Sequence, residues 1–337
     1  MKEVDDILQV RNLRTYFRTD NGLVRAVDRI SLGVRRGETV GIVGESGCGK
    51  SVTALSIMNL VRPPGRIVAG QILYRSGDGS TTDIAKLHPN GRQMRSLRGN
   101  NIAMIFQEPM TALTPVYSIG DQIAEGVMLH KKLTRRQARE RAIEILGKVG
   151  IPSPEKRIDD YPHQFSGGMR QRAMIAMALS CEPEVVIADE PTTALDVTIE
   201  AQILRLMKEM QSQLDLSIIM ITHDLGVIAE MADRVNVMYT GKIVEHAQTD
   251  DIFYNPKHPY TLGLLQSIPT IGDKRRLTPI RGAVPNLLTL PEDVCYFAPR
   301  CPYAMEICAQ AEPPMYQVGT AHQCKCWLYE GNEVVAV

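Results

Sequence analysis

GESGCGKS, residues 44–51, is the stretch whose reading decides the fold. The apolar run Thr39-Val40-Gly41-Ile42-Val43 leads into it. Val52-Thr53-Ala54-Leu55-Ser56-Ile57-Met58, with helical spacing, leads out. Strand, glycine-rich loop and helix, in that order, are the setting in which G-x-x-x-x-G-K-[ST] binds phosphate. Gly44 and Gly49 fill the two glycine places, with Ser46 and Gly47 between them. Missing Cβ atoms let backbone N–H groups converge on an anion. The helix that follows aims its positive end at the same point. Lys50 is expected to reach the β- and γ-phosphates of a nucleoside triphosphate, and the Ser51 hydroxyl to ligate Mg²⁺. Thr53, just beyond, is counted with the nucleotide contacts.

Upstream, Ile7-Leu8-Gln9-Val10, Thr15-Tyr16-Phe17, Leu23-Val24-Arg25-Ala26-Val27 and Ile30-Ser31-Leu32 predict antiparallel strands, with Asp20-Asn21-Gly22 as a hairpin turn. Downstream, Arg62-Pro63-Pro64-Gly65 is expected to end a helix. Residues 76–100 read as loop with one short helix from Arg92 to Leu97, and Ile102-Ala103-Met104-Ile105-Phe106 as a strand ending at Gln107. Residues 113–179 turn helical. Thr134-x-x-Gln137 is a capping box that opens a helix with Ala138, Ala142, Ile145, Leu146 and Val149 on one side, closed by Gly150. Val185-Val186-Ile187-Ala188 and residues 216–221 read as central parallel strands buried on both faces. A helix lies between them, and residues 235–244 read as a hairpin turning at Thr240-Gly241. Strands alternating with helices around a phosphate loop imply an α/β core with a mostly parallel sheet. A proline- and cysteine-rich composition sets in after residue 250, so the expected division is 1–250 and 251–337, with a helical subdomain at about 113–180.

Lysine plus arginine equals aspartate plus glutamate, 38 each. That balance argues against a chain whose main task is gripping nucleic acid. No apolar run approaches the ~18–20 residues of a membrane-spanning helix, and MKEVDDILQV does not read as a signal peptide. The expected location is the cytoplasm, free or held at a membrane by partners. Five of the seven cysteines, Cys295, Cys301, Cys308, Cys324 and Cys326, crowd the C-terminal end. In a reducing compartment, clustered thiols point to metal ligation before disulfides.

Two further stretches carry chemistry. Asp189-Glu190 ends a central strand, where ligands of parallel sheets lie. Asp189 can hold Mg²⁺ and Glu190 can polarise an attacking water. Ser166-Gly167-Gly168 opens an apolar-periodic helix, with Ser166 as N-cap and bare N–H groups behind it, a second anion site in one chain.

With these residues in hand, the chain resembles the ATP-binding cassette ATPases. GESGCGKS is similar to the Walker A loop, Gln107 to the Q-loop glutamine, and FSGGMRQR to the signature motif usually written LSGGQ. VVIADE is similar to Walker B, Ala194-Leu195-Asp196 to the D-loop, and His223 to the switch histidine. The signature departs from pattern at Phe165 and Met169, with Gln171 two places on. Cys48 stands where serine is common. The resemblance implies Glu190 as catalytic base and His223 as γ-phosphate contact. Phe17, with Tyr16 as the second choice, would stack on adenine. Ser166, Gly167, Gly168 and Gln171 would complete the ATP site of a partner subunit, so that ATP closes a dimer and hydrolysis opens it.

No sustained heptads separate Lys50 from Ser166, one cassette is present, and no membrane span is fused to it. These features leave a transporter ATPase whose helical block, entered through Gln107, grips permease subunits. The tail segments Asn255-Pro256-Lys257-His258-Pro259-Tyr260-Thr261, Leu264-Leu265-Gln266-Ser267-Ile268-Pro269, Gly282-x-x-Pro285 and Cys295-x-Phe297-x-Pro299-Arg300-Cys301-Pro302 resemble the extension of dipeptide and oligopeptide importer ATPases. The resemblance implies two permease subunits, a second ATPase subunit that is a different chain, and indirectly an extracytoplasmic solute-binding protein. It places the chain at the cytoplasmic face of the membrane and implies a [4Fe-4S] cluster on Cys295, Cys301, Cys308 and Cys326. Sulfur chemistry alone leaves structural Zn²⁺, or thiols without a ligand, open beside it. Nickel, glutathione or another small solute is the alternative cargo, and a soluble regulatory ATPase without permeases the alternative role.

Overall fold

The structure is a computed structural model that describes residues 6–193, 195–267, 279–288 and 290–335. Two sheets organise it. The first is antiparallel: β1 (Asp6–Thr19), β2 (Gly22–Arg35), β4 (Gly65–Arg75) and β5 (Thr81–Asp83), in the order β2-β1-β4-β5. The short apolar runs of residues 7–32 fuse into one hairpin whose last pair, Thr19 with Gly22, encloses the expected Asp20-Asn21 turn. Register shifts along β1, with Asn12 and Arg29 at positive φ, bend these long strands over the core.

The second sheet is mixed. It runs β11 (Tyr316–Gly319), β12 (His322–Cys324), β10 (Lys242–Gln248), β9 (Arg234–Tyr239), β3 (Thr39–Val43), β8 (Ser217–Thr222), β7 (Val185–Asp189), β6 (Ile102–Ile105). From β9 to β6 all pairings are parallel. Every residue of β3, β7 and β8 is buried, as a strand covered on both faces requires. Alternation along the strands divides the core in two. Val40, Ile42, Ile187, Ile219 and Ile221 face the antiparallel sheet and the helix Lys50–Ile57. Val43, Val186, Ala188, Ile218 and Met220 face the helical layer, with Leu146, Met174 and Ile203 among its contributors. The phosphate loop thus leaves the sheet between two packed layers that hold its ends fixed.

Three differences from the sequence expectations have local causes. The helix after the loop stops at Ile57, before the Arg62-Pro63-Pro64-Gly65 turn, because Asn59 takes a positive φ and ends the helical path. The strands β4 and β5 were not anticipated, since their alternation is broken by glycines and polar residues on an exposed face. The helical block resolves into separate helices, chiefly Ile119–Lys131, Arg135–Lys148 and Gly167–Leu179. The expected capping box is present at Thr134 and Gln137, and Ala138, Ala142, Ile145, Leu146 and Val149 are buried. Tail strands β11 and β12 extend the central sheet, with Glu245 of β10 opposite Cys324 of β12. Among the described residues, no helix is long and apolar enough to cross a membrane.

Candidate nucleotide-binding and hydrolysis site

At the carboxyl ends of β3, β6, β7 and β8 lies a cavity of about 800 Å³. Gly44, Ser46, Gly47, Gly49, Lys50 and Ser51 form its floor, and Gln107, Glu190 and His223 one wall. Two loop glycines are steric necessities. A Cβ on Gly44 would strike the Met238 carbonyl, and one on Gly49, whose φ is +106°, would strike the Ala26 carbonyl. A loop of this curvature can turn backbone N–H groups toward a bound triphosphate. The Lys50 ammonium is held at 2.7 Å from the Gly44 carbonyl oxygen and 3.1 Å from that of Glu45. These carbonyls hold the charge inside the loop, ready for exchange with phosphate oxygens.

The Ser51 hydroxyl donates to Asp189 Oδ1 at 3.1 Å. The two groups expected to hold Mg²⁺ are therefore neighbours. Burial pushes the Asp189 carboxyl above its ordinary range. A hydroxyl and a carboxylate side by side under a phosphate cradle fit Mg²⁺, whose preferred ligands are oxygens.

Glu190 follows with a φ of +48°, a left-handed conformation uncommon for a residue with a side chain. Its N–H donates to the Ile221 carbonyl at 2.8 Å, which pins the backbone to β8. Three groups surround its carboxylate. Gln107 Nε2 lies 3.0 Å away, the Thr193 hydroxyl 2.9 Å, and His223 Nδ1 3.2 Å. Strain concentrated on one carboxylate, oriented by three polar partners, is the signature of a positioned acid–base group.

Phe17, with Val24 and Ala26, forms the apolar side of the cavity. Tyr16 does not line it, because its hydroxyl donates to Asp28 Oδ1 at 2.7 Å. Thr53 turns away too. It is buried, and its hydroxyl donates back to the Gly49 carbonyl at 3.0 Å, bracing the first turn of the helix.

Ser166, Gly167 and Gly168 lie elsewhere, at the exposed start of the helix Gly167–Leu179. Ser166 caps it, accepting from the Met169 N–H at 3.3 Å. None of the three lines the cavity of its own chain. Gln171, placed with them by sequence, is buried instead, and its amide donates to the Pro191 carbonyl behind Glu190. Asp196 caps the helix Val197–Leu214, accepting from the Ile199 N–H at 3.0 Å; Ala194 lies outside the described residues.

Sequence reasoning missed the contributions of Thr193, Glu45, Leu264 and Leu287 to the cavity. Thr193 sits three residues after Glu190, where a hydroxyl could have been suspected. Leu264 and Leu287 arrive from the tail, and no local signal announces them.

In the tail, Cys295, Cys301, Cys308 and Cys326 come into one region. The Cys295 N–H donates to the Cys308 carbonyl at 3.0 Å, and the Tyr303 N–H to Cys301 Sγ at 3.4 Å. Burial pushes the Cys295 thiol up to about 11 and the Cys326 thiol up to about 12. Yet among the described residues no three His, Cys, Asp or Glu side chains converge as a metal ion requires. The expected iron–sulfur or zinc centre is therefore not supported by the structure. His322, four residues before Cys326, is engaged elsewhere, with Nε2 2.6 Å from Glu245 Oε1.

Comparison with known proteins bears on both ends of the chain. A family model described as ABC transporter matches residues 27–193, and one described as oligopeptide/dipeptide transporter, C-terminal region, matches residues 244–308. The dipeptide transport ATP-binding protein DppD of Bacillus subtilis is 50% identical over 336 residues, covering 99% of this chain and 98% of its own. The oligopeptide transport ATP-binding protein OppD of the same organism is 50% identical over 331 residues, covering 97% and 90%. Among solved structures, cbiO1 of Clostridium perfringens, part of the ABC transporter complex cbiONQ, matches with a TM-score of 0.60 at 29% identity, covering 74% of this chain and 92% of its own. A dimeric ATP-binding cassette in a post-hydrolysis state with ADP and Pi matches with a TM-score of 0.63 at 23% identity, covering 72% and 98%, a likeness of fold.

Proposed function

The chain belongs to the ABC transporter ATP-binding proteins, and on that premise we propose that it hydrolyses ATP to drive import of dipeptides and oligopeptides through membrane permease subunits. The observation that carries the enzymatic half is the convergence of Lys50, Ser51, Asp189, Glu190 and His223 on one glycine-floored cavity. The peptide half is supported by relatives of about half identity along nearly the whole chain, whose names state dipeptide and oligopeptide transport.

Each residue has a separable task. Loop N–H groups and Lys50 bind the β- and γ-phosphates, and Phe17 stacks on the base. Mg²⁺, when held by Ser51 and Asp189, supplies charge neutralisation to the transferred phosphoryl group. Glu190 accepts the proton of the attacking water, and Gln107 and Thr193 fix its orientation. His223 contacts the γ-phosphate from the end of β8. Its hydrogen bond to Glu190 ties the phosphate contact to the base.

The exposed Ser166-Gly167-Gly168 terminus supports a closed state in which this segment caps the ATP of a second subunit, which the resemblance gives as a different chain. Asp196, exposed close by, lies toward the same partner. The helical layer between about 113 and 180 supports docking on two permease subunits, with Gln107 linking that layer to the hydrolytic site. Under this reading, 1–250 is the nucleotide-binding unit and 251–337 its extension, held peripherally at the cytoplasmic face of the membrane beside a solute-binding protein outside. An iron–sulfur cluster on the four tail thiols is a proposal that rests on their sulfur chemistry and the resemblance. No step of hydrolysis runs through it, and colourless, iron-free protein from anaerobic purification would exclude it.

Glu190→Gln tests the central role. The amide keeps the shape but cannot take a proton, so turnover should fall by about 10²–10⁴ while ATP binding persists. Sustained hydrolysis in that variant would refute the assignment of the base.

A further inference from the structure

Glu45 is the first residue after Gly44 in the phosphate loop and lines the nucleotide cavity. A carboxylate there is at odds with the loop's purpose, since it would repel the triphosphate. Every polar part of Glu45 is nonetheless held, chiefly from the tail. Its N–H donates to the Tyr260 hydroxyl at 2.9 Å. Its carbonyl receives the Lys50 ammonium at 3.1 Å. Its carboxylate receives a two-pronged guanidinium: Arg300 Nη1 lies 2.6 Å from Oε2 and Nη2 3.0 Å from Oε1.

Arg300 is built into place. Its side chain is almost fully buried, and its Nε donates to the Arg281 carbonyl at 3.0 Å. Tyr239, Tyr260 and Phe297 pack as an aromatic cluster around the same point, with ring centroids 4.6–5.5 Å apart. The guanidinium lies 5.8 Å from the Tyr239 ring centre. Such a parallel fork is directional as well as neutralising.

We propose that Arg300 is a positioning residue for the phosphate loop: it neutralises and orients Glu45, and thereby lets the tail set the affinity of the ATP site. This rests on the ATPase reading and adds to it a control point supplied by the extension. Arg300 touches no reacting atom. Its effect passes through Glu45 and falls on binding, with the hydrolytic groups left as they are.

Arg300→Gln should raise KM for ATP of the assembled transporter, and Kd of the full chain for a fluorescent ATP analogue, about five- to tenfold, with kcat changed less than about twofold. The loss should shrink at high salt, since its cause is an unmasked charge. The deciding variant is Glu45→Gln placed in the Arg300→Gln background. Removing the unpaired carboxylate should restore Kd to within about twofold of the parent, a rescue that a purely structural arginine would not show. Unchanged nucleotide affinity in Arg300→Gln, or an equal loss with and without Glu45→Gln, overturns the proposal. If Arg300→Gln does not fold, Arg300→Met, which keeps an apolar stem and removes the charge, takes its place in the same comparison. Absence of ATP hydrolysis in the assembled parent transporter would instead overturn the ATPase reading.

Discussion

Replacing Glu245 with alanine should detach the extension from the central sheet. Glu245 lies on β10 and is fully buried. Its carboxylate receives the Lys257 N–H at 2.6 Å, the His258 N–H at 2.9 Å and His322 Nε2 at 2.6 Å. Burial alone would raise its pKa, but these hydrogen bonds, His322 foremost, outweigh that and hold it below the usual carboxylate range. One anion thus joins β12 and the lead-in to the helix Pro259–Gln266 to the core. Alanine leaves up to three donors without an acceptor. At about 1–3 kcal/mol per orphaned buried group, partly relieved by entering water, the loss should be about 3–6 kcal/mol. That is a large share of the roughly 5–15 kcal/mol by which proteins are stable. The assay pairs urea denaturation with limited proteolysis of the intact chain: the midpoint should fall, and new cleavage should appear after residue 250. Glu245→Gln, which keeps one carbonyl acceptor, should lose about half as much. A variant within 1 kcal/mol of the parent, or one destabilised with no added cleavage in the extension, would refute the reasoning. A released extension also withdraws Arg300 from Glu45, so KM for ATP should rise in parallel.

His246 and His258 are each lowered by burial to about 4, against an unfolded value of about 6.5. Between those limits the unfolded chain binds up to two more protons, so stability is full above pH 6.5 and falls as pH drops, by at most about 2.7 kcal/mol per pH unit; equal unfolding temperatures at pH 7.5 and 5.0 would contradict this. Phe17→Ala should raise KM for ATP about tenfold through lost stacking, whereas Tyr16→Phe should leave KM unmoved, as steady-state titration will show. Ser166→Ala should lower ATPase activity of the assembled transporter while leaving nucleotide binding to the isolated chain intact, at about 1 kcal/mol of lost helix capping; loss of binding in the isolated chain would place the signature in its own site.

How much of this was legible beforehand depends on sequence distance. The loop, its glycines, Lys50 and Ser51 follow from eight consecutive residues, and the structure places them as a unit. Central strands are recognisable as unbroken apolar runs because both faces are covered. Glu190 and His223 end such strands, so their meeting with Gln107 follows once the strands lie side by side. Strands β4 and β5 escape because they lie where one face is wet and the alternation is weak. Thr53 and Gln171 show the opposite limit. Each stands two or three residues from a functional neighbour, but helical geometry turns it inward, to Gly49 and to Pro191.

The tail escapes for another reason: its effect on the site is long-range. Glu45 and Arg300 are 255 positions apart. Read locally, Glu45 is a variable place in a generic loop, and Arg300 is a basic residue between two cysteines. Only the fold, by carrying the tail back along β10 and packing it on Tyr239, makes them partners. That packing changes what the loop is. A phosphate loop needs glycine for its curvature and lysine for its charge, yet tolerates a carboxylate at its first free position provided a cation cancels it. Here the cation comes from the extension, so this subunit's share of the ATP site is in order only while the tail is docked.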